Sequence, residues 1–181
     1  MSEHTIRIGK LEAAIRQLRT AIKLWFTNGD PVVVHTLAFA AYEILHHLSE
    51  KRDPTRRDLL FDTATIKDGH RKEWNRFIRK EANFFKHADR DGDSVIDFNP
   101  RITEYFILFA IAGRQICGES GTDEESVFCW WIRVHRPDIL SDQGSQLLAK
   151  NLPVDGLKYI QSAPRHEFFE LSLKALRSRP S

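Results

Sequence analysis

The sequence predicts an all-α protein, an irregular multi-helix bundle built around a central Ala-rich helix. Apolar residues recur at three- and four-residue spacing in nearly every segment. No pair of alternating or β-branched runs stands ready to form a sheet. At 181 residues the chain has the length of one domain with a sizeable core, so residues 1–181 are expected to form a single helical domain.

The elements follow in order. Ile8, Leu11, Ile15, Leu18, Ile22 and Trp25 line one side of a first helix, with Arg16, Arg19 and Lys23 elsewhere on the wheel. Asn28-Gly29 stops it. Asp30-Pro31 starts the second, with Asp at the cap and Pro at the first helical position. VVVHTLAFAAYEILHHLSEK carries this helix to about Lys51. Asp53-Pro54-Thr55 breaks the chain, TRRDLLFD reads as a short helix, and a long helix is expected from Ile66 to Asp89, with Gly69 near its start. SVIDFNP is an extended connector. PRITEYFILFAIAGRQIC is helix five, and DEESVFCWWIRVH is helix six, stopped before Arg136-Pro137. The tail offers DQGSQLLAKN, a Pro-Val-Asp-Gly turn and a final helix in RHEFFELSLKALRS.

Composition narrows function. A formal charge of +2 creates no global field toward nucleic acid or membrane, so any basic surface must be local. The two cysteines, Cys117 and Cys129, lie in apolar helical patterns without paired spacing, which argues against a disulfide framework or a zinc knuckle. The N-terminal stretch has no apolar signal region, and FILFAIAG falls far short of the ~20 residues a membrane span needs. The expectation is a cytoplasmic protein with no membrane partner. Gly-rich phosphate loops, Ser-His-Asp sets and redox cysteine pairs are all missing from the sequence.

Two helix faces differ from ordinary surface. On helix two, Val33, Val34, Leu37, Ala38, Ala40, Ala41, Ile44, Leu45 and Leu48 fill the sector expected to pack the core. The opposite sector gathers His35, Thr36, Phe39, Tyr42, Glu43, His46 and His47, with no Lys or Arg before Lys51. Such a stripe is expected to be half-buried, its groups either satisfying one another or lining a polar ligand site. Glu43 and His46 have the Glu-x-x-His spacing of di-iron bundles, but no second copy exists. A mononuclear divalent-metal site using His35, Glu43 or His46 with a residue from another helix is the alternative reading.

The long helix carries the second face. Trp74, Phe77, Ile78, Phe84, Phe85 and Ala88 form its apolar side; Arg76, Arg79, Lys80, Asn83, Lys86, His87 and Arg90 lie opposite. Arg79, Asn83 and His87 repeat every four residues. Cations without acid among them repel at this spacing and suit a phosphate-bearing partner, or they are a solvated face. A histidine beside Arg and Asn is suited to proton transfer in RNA cleavage. After it, Asp89, Asp91, Asp93 and Asp97 imitate positions one, three, five and nine of a calcium loop. Ser94 and Pro100 stand where Gly and the bidentate Glu belong, so the stretch reads as a turn.

Asn83-Phe84-Phe85-Lys86-His87, with the small-residue helix Ala38–Leu45, makes the first ~115 residues resemble an HEPN domain, a helical nucleotide-binding and ribonuclease fold. The likeness lies in two amphipathic opening helices, the second rich in Ala, and a later helix with a polar-plus-His motif. The family pattern is Arg, about four to six residues, then His, often with Asn beside the Arg. Here seven residues separate Arg79 from His87, and Asn83 is not adjacent to the Arg. The stretches LWFTNGDPVVVHTLAFAAYEIL and NFFKHADRD also resemble a group of uncharacterised bacterial proteins.

The resemblance implies metal-independent RNA cleavage by Arg79, Asn83 and His87, with no cofactor, in a homodimer whose two motifs line one cleft. Arg76, Lys80, Lys86 and Arg90 would hold phosphates of RNA or a nucleotide. The competing classes are a metal- or small-ligand-binding bundle using His35, Glu43 and His46, and an interaction module using Phe128, Trp130 and Trp131. Of the two adjacent tryptophans, one is expected in the core and the other at an interface.

Overall fold

The structure is a computed structural model that describes residues 5–55, 59–87, 92–137, 142, 146 and 154–178. Among these residues it is all-α, without a strand. The described residues include eight α-helices with both ends defined: α1 Lys10–Phe26, α2 Pro31–Arg52, α3 Arg71–Ile78, α4 Lys80–Lys86, α5 Ile102–Ile116, α6 Asp123–His135, α7 Val154–Ser162 and α8 Arg165–Arg177. The expected extended connector SVIDFNP, residues 94–100, and the expected helix stop at Asn28-Gly29 both lie outside the helices. No helix among the described residues is long and apolar enough to cross a membrane.

The α1–α2 corner follows from its residues. Asn28 takes the left-handed conformation at φ 54°, an arrangement Asn tolerates better than most side chains. Gly29 turns back so tightly that its N–H donates to the Leu24 carbonyl at 2.7 Å, and a Cβ there would lie 3.0 Å from Leu24 Cβ. The Asp30 carboxylate then accepts from the N–H groups of Val32 and Val33 at 2.9 and 3.1 Å, satisfying two donors that a helix start leaves open.

Helix α2 is central. It packs along α1 on one flank and α5 on the other, with α4 against it as well. Gly113 of α5 allows the closest approach, since a Cβ there would meet Leu45 Cβ at 3.2 Å. This enclosure overturns the expected division of the helix. Its most deeply buried residues are Val34, His35, Ala38, Phe39, Ala41, Tyr42, Leu45, His46 and Ser49. Leu37, Ile44 and Leu48 are only partly buried, and Val33 is exposed. A helix with neighbours on several sides has no single dry face, so His35, Phe39, Tyr42 and His46 of the stripe join the core, while His47 stays exposed.

Three local expectations also change. Leu59–Asp62 form turns, not part of a short helix, because the Phe61 N–H donates to the Tyr42 hydroxyl (3.0 Å) and Phe61 is buried against α2. The long helix is interrupted: it opens with a single 3-10 turn at Asp68–His70 and breaks at Arg79, whose φ and ψ are −93° and −3°. It ends at Lys86, leaving His87 extended. The Pro-Val-Asp-Gly segment is not a turn either, since α7 begins at Val154. A proline just before a first helical turn is as good a start signal as a turn signal. The segment DQGSQLLAKN lies largely outside the described residues, as do Asp89, Arg90 and Asp91.

The C-terminal half closes over α1. Thr122 and Glu125 form a reciprocal capping box at the start of α6. Phe26 of α1 stacks on Phe169 of α8 with ring centres 4.5 Å apart, and meets Trp25, Phe128 and Trp131 edge-on. Trp131 is the buried member of the tryptophan pair. Trp130 is partly buried and lines a cleft between α6 and α8, with Arg133 and Leu176.

Candidate functional site

The two faces singled out in the sequence meet. Arg79, at the α3–α4 break, donates to Glu43 of α2 at 2.6 Å and lays its guanidinium 3.9 Å from the Phe61 ring centre. From the last turn of α4, the Lys86 ammonium lies 4.0 Å from the other Glu43 oxygen and 4.7 Å from the Phe39 ring centre. Glu43 therefore supplies the acid that the cationic stripe does not contain within itself. Each cation also rests on the negative face of a phenyl ring. The break at Arg79 goes with this arrangement, as Ile78 and Ala82 enter the core on either side of it.

The remaining stripe residues point outward. Arg76, Lys80, Asn83 and His87 are exposed, and none makes an ion pair with a described residue. His87 lies beyond the helix end, so Arg79, Asn83 and His87 do not form the straight ladder that an unbroken helix would give. Phe77, expected on the apolar side, is instead 64% exposed, tilted against Trp74 with ring centres 6.1 Å apart. Nearby carboxylates are Asp68, which pairs with Arg71, Glu73 beside His70, and the partly buried Glu81. Nothing in the sequence pattern distinguished Phe77 from its neighbours Trp74 and Ile78; only the packing does.

The alternative metal trio is not assembled. His35 and His46 stand eleven residues apart on one helix, about 16 Å along its axis. His35 is fully buried, bonded through Nδ1 to the Thr103 hydroxyl at 3.0 Å and ringed by Phe39, Phe85, Phe98 and Phe106. Glu43 is held by Arg79. His46, only 4% exposed, has Nε2 3.6 Å from an Asp62 oxygen, beyond hydrogen-bond length but within strong electrostatic reach. Its neighbours on the helix, His47 and Glu50, place their ligating atoms with its own inside a mutual 4.8 Å. The sequence contains this His-His-x-x-Glu spacing, overlapping at His46 with the Glu43-x-x-His46 pair one turn earlier.

Burial also sets the protonation of α2. The His35 imidazole is pushed down to about 4, first by desolvation and then by the Lys86 charge. His46 is lowered as well; burial dominates, and the Asp62 and Glu50 carboxylates partly oppose it. The Tyr42 hydroxyl is pushed above its usual range, mainly by burial. In the unfolded chain His35 takes up a proton near pH 6.5, whereas the folded protein resists until about pH 4. Its contribution to stability is therefore complete above pH 6.5 and lost as the pH falls toward 4. The expected loss is about 3 kcal/mol. Urea unfolding of the wild type and His35→Leu over this range should show the variant with the flatter profile. Parallel profiles would refute the assignment.

The fold and this surface define an all-α protein with a polar, cation-bearing seam between its central helix and a broken neighbour. Comparison with known proteins assigns no family to it: no family model, curated protein or solved structure matches the chain.

Proposed function

We propose that this chain is an RNA-binding helical protein whose α3–α4 surface takes single-stranded RNA. The observation that carries the reading is the exposed Phe77 ring, set among the exposed cations Arg76 and Lys80. An apolar ring turned to water within a basic surface is the combination that single-stranded nucleic acid uses: bases stack on the ring while cations follow the backbone. Lys86 and Arg79 belong to the edge of this surface, with their charge partly answered by Glu43. The HEPN resemblance points to the same partner, and it adds RNA cleavage through His87 and a homodimeric arrangement.

Binding of a fluorescent single-stranded RNA across a salt series tests this. Phe77→Ala should weaken binding by about 1–3 kcal/mol without changing the salt slope. Arg76→Ala and Lys80→Ala should each lower the log–log slope by about 0.7. Wild-type protein that fails to bind at low salt would reject the reading. If cleavage accompanies binding, His87→Ala should slow it by about 10²–10⁴-fold and leave affinity nearly unchanged.

A further inference from the structure

We infer that His46, His47 and Glu50, near the C-terminal end of α2, form a site for a late first-row divalent cation of the Zn²⁺ type, with Asp62 supporting the buried histidine from behind. The site is separate from the α3–α4 surface and needs neither RNA nor a second chain.

His46 is the anchor. Its imidazole is almost wholly enclosed, yet Nδ1 meets no hydrogen-bond partner among the described residues and Nε2 has only the Asp62 carboxylate, at a loose 3.6 Å. Leaving a buried polar group without a partner costs about 1–3 kcal/mol, so native structures seldom do it without a reason. His35, the other buried histidine of α2, shows the ordinary solution, since a threonine hydroxyl satisfies one of its ring nitrogens. His46 has been given carboxylates and a second imidazole instead.

The helix supplies the geometry. Glu50 lies one turn beyond His46, and His47 is three residues before Glu50, so all three side chains reach one patch. The His47 Nδ1 to Glu50 Oε2 distance is 3.5 Å. Tetrahedral zinc with bonds of 2.0–2.1 Å places neighbouring ligand atoms about 3.4 Å apart. That pair is already spaced for a shared ion, and the trio needs only a modest closing movement to hold one. His47 and Glu50 are 58% and 55% exposed, so they can rotate inward and leave a coordination position open to solvent.

The surroundings agree with a cation of this class. Two imidazoles and one carboxylate favour Zn²⁺ and its late-transition neighbours over Mg²⁺ or Ca²⁺, which prefer oxygen. Asp62 beside Nε2 is the kind of outer carboxylate that orients a metal-binding histidine and raises its basicity. The carbonyl end of α2 favours positive charge. Of the two cations in this last turn, Lys51 is exposed to solvent and Arg52 has its guanidinium against Gly118 at the α5–α6 corner.

Calorimetric titration of the full chain with Zn²⁺ alone, near neutral pH, tests the site. The wild type should bind saturably at one ion per chain. His47→Ala and Glu50→Gln change exposed residues and should keep the fold by circular dichroism, while each weakens binding at least about 10-fold. Asp62→Asn should weaken it about 10–100-fold. Wild-type protein without saturable uptake, or variants that titrate like wild type, would overturn the assignment. So would Mg²⁺ competing at equal concentration, which would mark a diffuse acidic surface.

Discussion

Phe26→Ala should cost about 3–5 kcal/mol of folding stability, a large share of the ~5–15 kcal/mol that a domain has. The ring is fully buried and is the common neighbour of residues on three helices: Trp25 beside it on α1, Phe128 and Trp131 on α6, and Phe168 and Phe169 on α8. Truncation removes both the burial of the ring and the edge and stacking contacts it makes, and neighbouring rings are too rigid to collapse into the space. Urea unfolding followed by circular dichroism measures the loss. A cost below about 1 kcal/mol would mean that α8 does not close over α1 as described.

Glu125→Ala should cost a comparable amount, about 3–5 kcal/mol. Its carboxylate does two jobs at once. One oxygen accepts from Arg114 of α5, and the other accepts the Thr122 N–H of the capping box. Arg114 is itself buried and also donates to the Ser120 carbonyl. Removing Glu125 leaves a buried guanidinium without its counter-charge and an α6 start without its reciprocal cap. The double replacement Arg114→Met/Glu125→Leu separates these effects, because it removes both charges and leaves no buried charge unpaired, while the Thr122 N–H and the Ser120 carbonyl still lose their partners. It should recover most of the loss. If Glu125→Ala and the double variant are equally unstable, the cap rather than the ion pair carries the energy.

The parts of the fold that were legible in the sequence are those set by short-range chemistry. Asn28-Gly29 and Asp30-Pro31 marked the α1–α2 corner because left-handed backbone and an N-terminal cap are written in single residues. Helices α5 and α6 were legible from Pro100 near the start of the first and Arg136-Pro137 after the second. What was hidden depends on neighbours distant in sequence. That His35 and Tyr42 lie on an unsolvated flank was legible in its lack of Lys and Arg; the groups that meet their polar atoms, Thr103 and the Phe61 N–H, were not. The break at Arg79 was invisible because apolar spacing continues through it from Trp74 to Phe85. Its partner, Glu43, lies 36 residues away.

The candidate sites divide in the same way. The cationic stripe was readable, but its partial neutralisation by Glu43 was not, since charge pairing between helices has no local signature. Phe77 carried no sign of its exposure. For the metal reading, the sequence pointed to α2; His35, Glu43 and His46 do not converge there, whereas His46, His47 and Glu50 lie together.

The stacking of Phe26 on Phe169 also has a consequence for synthesis. The two rings are separated by 143 positions, and at about 5–20 residues per second a ribosome takes about 7–30 s to make the intervening chain. For most of that interval, once α2 has been made, α1 and α2 can already pair, because their contacts are local to the first third of the chain. The aromatic side of α1, with Trp25 and Phe26, has no lid until α6 and α8 emerge. The nascent protein thus passes through a state with a finished helical hairpin and a sticky aromatic edge, the kind of surface that holding chaperones recognise and that neighbouring nascent chains can join.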